Sequence, residues 1–136
     1  MKLVMEDLRD FVNGVKFVSP NIKMWFDRNI LFCKFSDNLM LSLEIAKSCN
    51  ERRIYFSKGS SYPLLIDMTG IKSSSKGATE YLATVGTTLV TAGALVVKSE
   101  FDRLLGNLLI SFEKPEVPTR LFTNEEKAKG WLSKYT

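Results

Sequence analysis

Serines, threonines and lysines gather where apolar runs give way to helical patterns, and these junctions hold the residue types best suited to chemistry. The first is Asp67-Met68-Thr69-Gly70-Ile71-Lys72-Ser73-Ser74-Ser75, the second Lys98-Ser99 and the third Phe122-Thr123. In an open α/β sheet the binding crevice lies at the carboxyl ends of the strands, where helices begin. Ser75, Ser99 and Thr123 each stand where an N-cap is wanted, and Asp102 and Glu126 follow the last two at capping-box spacing. A serine before an apolar helical pattern acts first as a cap, stabilising its helix by about 1 kcal/mol. Three helix N-termini on one edge, with Lys72 and Lys98 beside them, would also suit a phosphate or carboxylate. Lys98, Ser99 and Thr123 are therefore the candidate anion or ligand site. Asp67 ends an apolar strand without a second acid nearby, so its expected role is to accept hydrogen bonds in the following turn rather than to catalyse.

Other chemistry is removed by what the chain lacks. It has no histidine, which excludes Ser-His-Asp and Cys-His machinery and every histidine-ligated metal site. Two cysteines, Cys33 and Cys49, cannot make a four-thiolate centre, and their apolar surroundings suit reduced core fillers. Neither a GxxxxGK[ST] loop nor a GxGxxG loop occurs. The expectation is a protein that is not an enzyme, with no cofactor and no metal. Gly106-Asn107 interrupts a strongly helical stretch, where glycine costs roughly 1 kcal/mol relative to alanine. The glycine suits close helix–sheet approach, and the asparagine suits a hydrogen bond to a neighbouring segment.

The 136 residues suffice for one domain that buries about two-thirds of its unfolded surface. With 45% hydrophobic and 25% charged residues, the composition is that of a globular protein. Formal charge is +4, but the nineteen Lys and Arg are scattered, and the closest cluster is Arg52-Arg53 with Lys58. No basic stripe interleaved with aromatics is present, so no nucleic-acid partner is expected. The N-terminus lacks an apolar stretch of signal-peptide length, and Leu82 to Val97 is too short and too rich in Thr and Gly to span a bilayer. No transmembrane segment and a cytoplasmic location are expected.

The elements that would position the junction residues are legible from periodicity. Residues 1–18 carry a weak helical pattern ended by Ser19-Pro20, giving an N-terminal extension over 1–20 and a core over 21–136. Alternation through Ile22, Met24 and Phe26, a turn at Asp27-Arg28-Asn29 and the run Ile30 to Phe35 predict an antiparallel hairpin. A helix follows over about 42–56, with Ile45, Ala46, Cys49 and Phe56 inward and Glu44, Lys47, Glu51 and Arg52 outward. Leu64-Leu65-Ile66 and Ala92 to Val97 read as strands buried on both faces. Ala78, Tyr81, Leu82, Val85 and Leu89 predict a helix between them. Phe101, Leu104, Leu105, Leu108, Leu109 and Phe112 form the strongest apolar stripe. A short strand at 119–122 and a helix over 124–134 complete the chain. The fold class is α/β, a single domain with a mixed, mostly parallel sheet, an N-terminal antiparallel hairpin and flanking helices.

The segment LLIDMTGIKSSSKG, Leu64 to Gly77, resembles the centre of a STAS domain, where a strand ending in Asp leads through a small polar residue and Gly to a serine-bearing loop and helix. Asp67, Thr69 and Gly70 match the first part. Arg120-Leu121-Phe122 and the later Trp131-Leu132 resemble small SpoIIAA-like, or STAS/SEC14-like, proteins. The resemblance implies a SpoIIAA-like fold and a non-enzymatic regulatory or interaction module with a protein partner. In anti-sigma factor antagonists the loop serine is phosphorylated, and Ser74 or Ser75 would hold that place. Ser73-Ser74-Ser75-Lys76-Gly77 departs from the family's Asp-Ser-Ser-Gly run. On this reading Asp67, Thr69, Lys72, Ser73, Ser74 and Ser75 form a switch or contact loop. The SEC14-like side implies the alternative, a carrier for a small anionic or lipid-like ligand at the carboxyl edge. A homodimer is a further expectation, because Trp25 and Phe35 put apolar residues on both faces of the hairpin.

Overall fold

The computed structural model describes residues 16–136. The elements run β1 (Lys16–Val18), β2 (Ile22–Asp27), β3 (Ile30–Phe35), β4 (Leu39–Leu41), α1 (Leu43–Phe56), β5 (Tyr62–Asp67) and β6 (Ile71–Ser74). They continue with α2 (Lys76–Ala83), β7 (Val90–Val96), α3 (Glu100–Glu113), β8 (Thr119–Phe122) and α4 (Glu125–Leu132). Single 3-10 turns follow α2 at Val85–Thr87 and α4 at Ser133–Tyr135. Six strands form the main sheet in the order β1-β2-β3-β5-β7-β8, and β4 and β6 pair separately. The β1–β2 and β2–β3 pairings are antiparallel, and the rest of the main sheet is parallel.

The hairpin forms as the alternation predicts, with Ile22 and Met24 buried and Lys23 exposed. Arg28 and Asn29 both adopt positive φ, 50° and 66°, the left-handed two-residue turn whose twist suits adjoining strands. The N-terminal helix is corrected at its end. Lys16–Val18 is an edge strand, registered from Lys16↔Trp25 to Val18↔Lys23, and the earlier positions of that predicted helix lie outside the described residues. Phe17 packs near Phe56, with ring centroids 6.4 Å apart, a tertiary contact invisible to helical periodicity. The hairpin residues expected at a dimer surface are used within the chain. Phe35 is buried, and Trp25 stacks on Phe32 with ring centroids 5.4 Å apart.

Each face of the sheet has its own core. One joins Met24, Leu31, Cys33 and Leu64 to Ala46 and Cys49 of α1 and Ala78 of α2. The other joins Ile30, Phe32, Leu65, Ala94, Val96 and Phe122 to Ala128 and Leu132 of α4. Leu132 has no exposed surface, and burial of such a side chain stabilises by about 2–3 kcal/mol. Helix α3 lies beside the edge strand β8.

Two helix expectations change. The helix predicted to reach Leu89 ends at Ala83, because the β-branched and glycine run Thr84 to Thr88 turns its hydroxyls onto nearby carbonyls. Leu89 then takes a left-handed φ of 59°. On α1, Arg53 is buried rather than part of a surface basic cluster. Its Nη2 donates to Asn50 Oδ1 at 2.9 Å, Thr88 O at 2.6 Å and Gly86 O at 3.3 Å. Asn50 Nδ2 donates in turn to Tyr81 Oη at 3.2 Å. Burial lowers the guanidinium pKa, yet the carbonyls satisfy its N–H groups and tie the 84–89 segment to α1.

Candidate functional site

The carboxyl edge of the sheet is where the sequence places the candidate site. Asp67 ends β5, and its Oδ1 accepts from Thr69 N–H at 2.9 Å and from the Thr69 hydroxyl at 2.6 Å. This is the turn-organising role expected of it. Ile71 N–H closes the turn on Met68 O at 3.1 Å. Gly70 is required by close approach, since a Cβ there would sit 2.6 Å from Ser36 O and 2.9 Å from Phe35 O. The Asp-Met-Thr-Gly sequence thus brings the β5–β6 turn against the end of β3, and Leu39 N–H donates to Gly70 O at 3.2 Å.

Beyond that turn the predicted loop is a strand. Ile71–Ser74 pairs in parallel with Leu39–Leu41, placing Lys72, Ser73 and Ser74 on β6 with exposed side chains. Three polar residues in four carry no strand signal; the hydrogen bonds come from β4, a partner distant in sequence. Ser75 is the N-cap of α2, its Oγ accepting from Ala78 N–H at 3.0 Å. Ser74 Oγ and Thr79 Oγ1 lie 3.0 Å apart, making a hydroxyl cluster with Ser75 at the start of α2.

The second group is partly assembled. Val97 N–H donates to Phe122 O at 2.8 Å, so Lys98-Ser99 and Thr123 follow the ends of neighbouring strands. Ser99 Oγ caps α3 through Asp102 N–H at 3.0 Å. Thr123 is not the cap of α4. Asn124 takes that place, its Oδ1 accepting from Lys127 N–H at 3.0 Å, so Lys127 stands at N3 and the expected box with Glu126 does not form. Glu100, Asp102, Glu125 and Glu126 occupy the first turns and answer both helix dipoles. A hydrogen bond from Arg103 holds Glu100 below the usual carboxylate range. Four carboxylates in the first turns of these two helices make poor surroundings for an incoming anion.

The groove beside the hairpin turn holds charges of both signs. Of about 580 Å³, it lies between that turn and α4 and mixes Asp27 and Arg28 with Glu126 and Lys129. Lys129 is already paired with Glu125 and Glu126. Among the described residues, no three His, Cys, Asp or Glu side chains stand together as metal ligands. Among the same residues, no helix is long and apolar enough to cross a membrane.

The feature sequence reasoning missed lies on α3. Its inward side is Arg103, Gly106, Asn107 and Ile110, while Phe101, Leu104, Leu105 and Leu108 are 72%, 57%, 44% and 54% exposed. Gly106 meets the sheet where a Cβ would fall 2.1 Å from Leu121 Cδ2. Asn107 binds the edge of β8: Leu121 N–H donates to its Oδ1 at 2.9 Å, and its Nδ2 donates to Leu121 O at 3.4 Å. The glycine and asparagine, odd within a helical stripe, were the signal that the packed side was the polar one.

The mixed sheet with its leading hairpin and following strand–helix units is a SpoIIAA-like, STAS-type fold. The chain is similar to the crystal structure of an uncharacterised DUF3478-family protein with a SpoIIAA-like fold from Shewanella loihica PV-4. The TM-score is 0.62 at 16% identity, over 85% of this chain and 99% of that one. Residues 24–136 match the family model of DUF7793, a domain of unknown function, and the chain belongs to that family. No curated protein matches it.

Proposed function

We infer that this domain is a non-enzymatic interaction module that engages a protein partner through the outer face of α3. The observation that carries the reading is the exposure of Phe101, Leu104, Leu105 and Leu108 in one contiguous stripe. Apolar patches of this kind mark contact surfaces. The carboxyl edge offers less support for a carrier, since Asp67 is engaged by Thr69 and acidic side chains fill the first turns of α3 and α4. The hydroxyl cluster at Ser74, Ser75 and Thr79 is a second exposed surface on which a regulatory contact could act.

Quantitative cross-linking in the source cells tests this, comparing wild type with Leu104→Lys/Leu108→Lys and with Ser75→Glu. The expected result is a defined partner set lost from the α3 variant, with the circular dichroism of the folded domain retained. Identical recovery from all three proteins overturns the reading.

A further inference from the structure

We propose that the outer face of β1, β2 and β3 binds single-stranded nucleic acid, with Lys16, Lys23 and Lys34 on phosphates and Trp25 against a base. Helix α4 covers the same face farther along, over β5, β7 and β8. Strand register sets Lys16 opposite Trp25, Trp25 opposite Phe32, and Lys23 opposite Lys34. Residues two apart on a strand share a face, so lysines scattered in the sequence come together around one tryptophan. All three are exposed, and among the described residues none of them is ion-paired. Like charges directly opposite each other destabilise a sheet, and a polyanion laid across Lys23 and Lys34 relieves that repulsion.

The acids near this face stand at its margins. Asp27 ends β2 at the hairpin turn and is the one carboxylate over β1 to β3. Asp67 lies beyond Lys34 with its Oδ1 engaged by Thr69, and Glu125 and Glu126 are paired with Lys129 on α4. The tryptophan selects among anions. Strands β3 and β1 flank β2, so Phe32 stacks on one side of the Trp25 ring and the Lys16 ammonium stands 5.8 Å from its centroid on the other. A lysine that swings onto a phosphate leaves that side of the ring to a base, and stacking joined to backbone charge is how single strands are held without sequence preference. An acidic peptide would use the lysines and not the ring, and a duplex keeps its bases stacked inward. A membrane takes up protruding apolar side chains beside the basic ones, and here it would find only Val18 beside a partly buried Trp25.

Fluorescence anisotropy of a labelled RNA strand of about 12 nucleotides, titrated with the full chain at low salt, is the test. Wild type should bind at micromolar concentration, and Lys23→Ala/Lys34→Ala, folded by circular dichroism, should bind about tenfold more weakly or less. The slope of log affinity against log salt should fall from about −2 to about −0.7 in that variant, since each neutralised phosphate of a single strand contributes about 0.7. In a Trp131→Phe background, where Trp25 is the remaining tryptophan, binding should quench its fluorescence. Duplex RNA, polyglutamate and phosphatidylserine vesicles should each displace the labelled strand less well than the unlabelled strand does. No binding at low salt, an unchanged salt slope, binding without quenching, or equal displacement by any of those three competitors would overturn the proposal. The outcome does not bear on the α3 stripe, which lies beside β8 at the far edge of the sheet.

Discussion

The side chain of Asn107 lies along the outer edge of Leu121 and makes the two hydrogen bonds that a neighbouring strand would make there. Leu121 N–H donates to Oδ1 at 2.9 Å, and Nδ2 donates to Leu121 O at 3.4 Å. Strand β8 is the last in the sheet, and the Pro118 and Phe122 carbonyls turn inward toward β7. Leu121 therefore points its amide and carbonyl outward, where an open edge invites pairing with other chains. One amide side chain closes that edge and fixes which side of α3 faces the sheet.

Asn107→Ala should cost about 1–3 kcal/mol, the penalty of leaving a partly buried amide and carbonyl without partners. Urea unfolding measures it. Hydrogen exchange at Leu121 N–H should accelerate by the same free energy, and an unchanged rate there would contradict the edge-closing role.

The two close-packed glycines should respond differently to alanine. At Gly70 the added Cβ meets backbone, Ser36 O at 2.6 Å, whereas at Gly106 it meets the end of the Leu121 side chain. Leu121 can rotate, and alanine also regains about 1 kcal/mol of helix propensity. Gly106→Ala should therefore cost no more than about 1–2 kcal/mol, with Gly70→Ala well above it. Thermal unfolding of the two variants side by side reads the order.

Arg53→Met should destabilise by about 2–4 kcal/mol, because Gly86 O and Thr88 O lose a charged donor in a partly buried position. The effect should be local as well as global: amides over 84–89 should lose exchange protection before those of β5. Uniform loss across the sheet would mean that Arg53 does not anchor that segment.

Burial pushes the Cys33 thiol up to about 12 and the Cys49 thiol to about 11, from an ordinary 9.0. Above pH 9 the unfolded chain releases these protons while the folded chain keeps them, so the unfolded state binds fewer and stability falls as pH rises. The contribution is complete below pH 9 and is lost through the folded values near 11 and 12. The double variant Cys33→Val/Cys49→Ala should show a flatter decline of the urea midpoint between pH 9 and 11. Both native thiols should resist alkylation at pH 8 until the chain unfolds.

Elements whose register depends on their own residues were legible in advance. The hairpin follows from alternation and the Arg28-Asn29 turn, α1 from its period, and β5 and β7 from unbroken apolar runs. Asp67 as a turn acceptor and Ser75 and Ser99 as caps were equally local, since each bonds within three residues of itself. The strand β6 was not legible, because Lys72, Ser73 and Ser74 take their pairing from β4. The burial of Arg53 depends on carbonyls more than thirty residues away.

Local patterning therefore determined the α/β class, the order of its central units and the turn at Asp67, because hydrogen bonds and side-chain periods within a few residues suffice for each. Only the tertiary structure decided which side of α3 is buried. The stripe of Phe101, Leu104, Leu105 and Leu108 has the period of a core face, and by area alone the sheet should have taken it. Position at the sheet edge outweighed area: the outward amide and carbonyl of Leu121 needed partners, and Asn107 beside Gly106 could reach them. The apolar side was left outward, and that face is the surface on which the function is proposed to act.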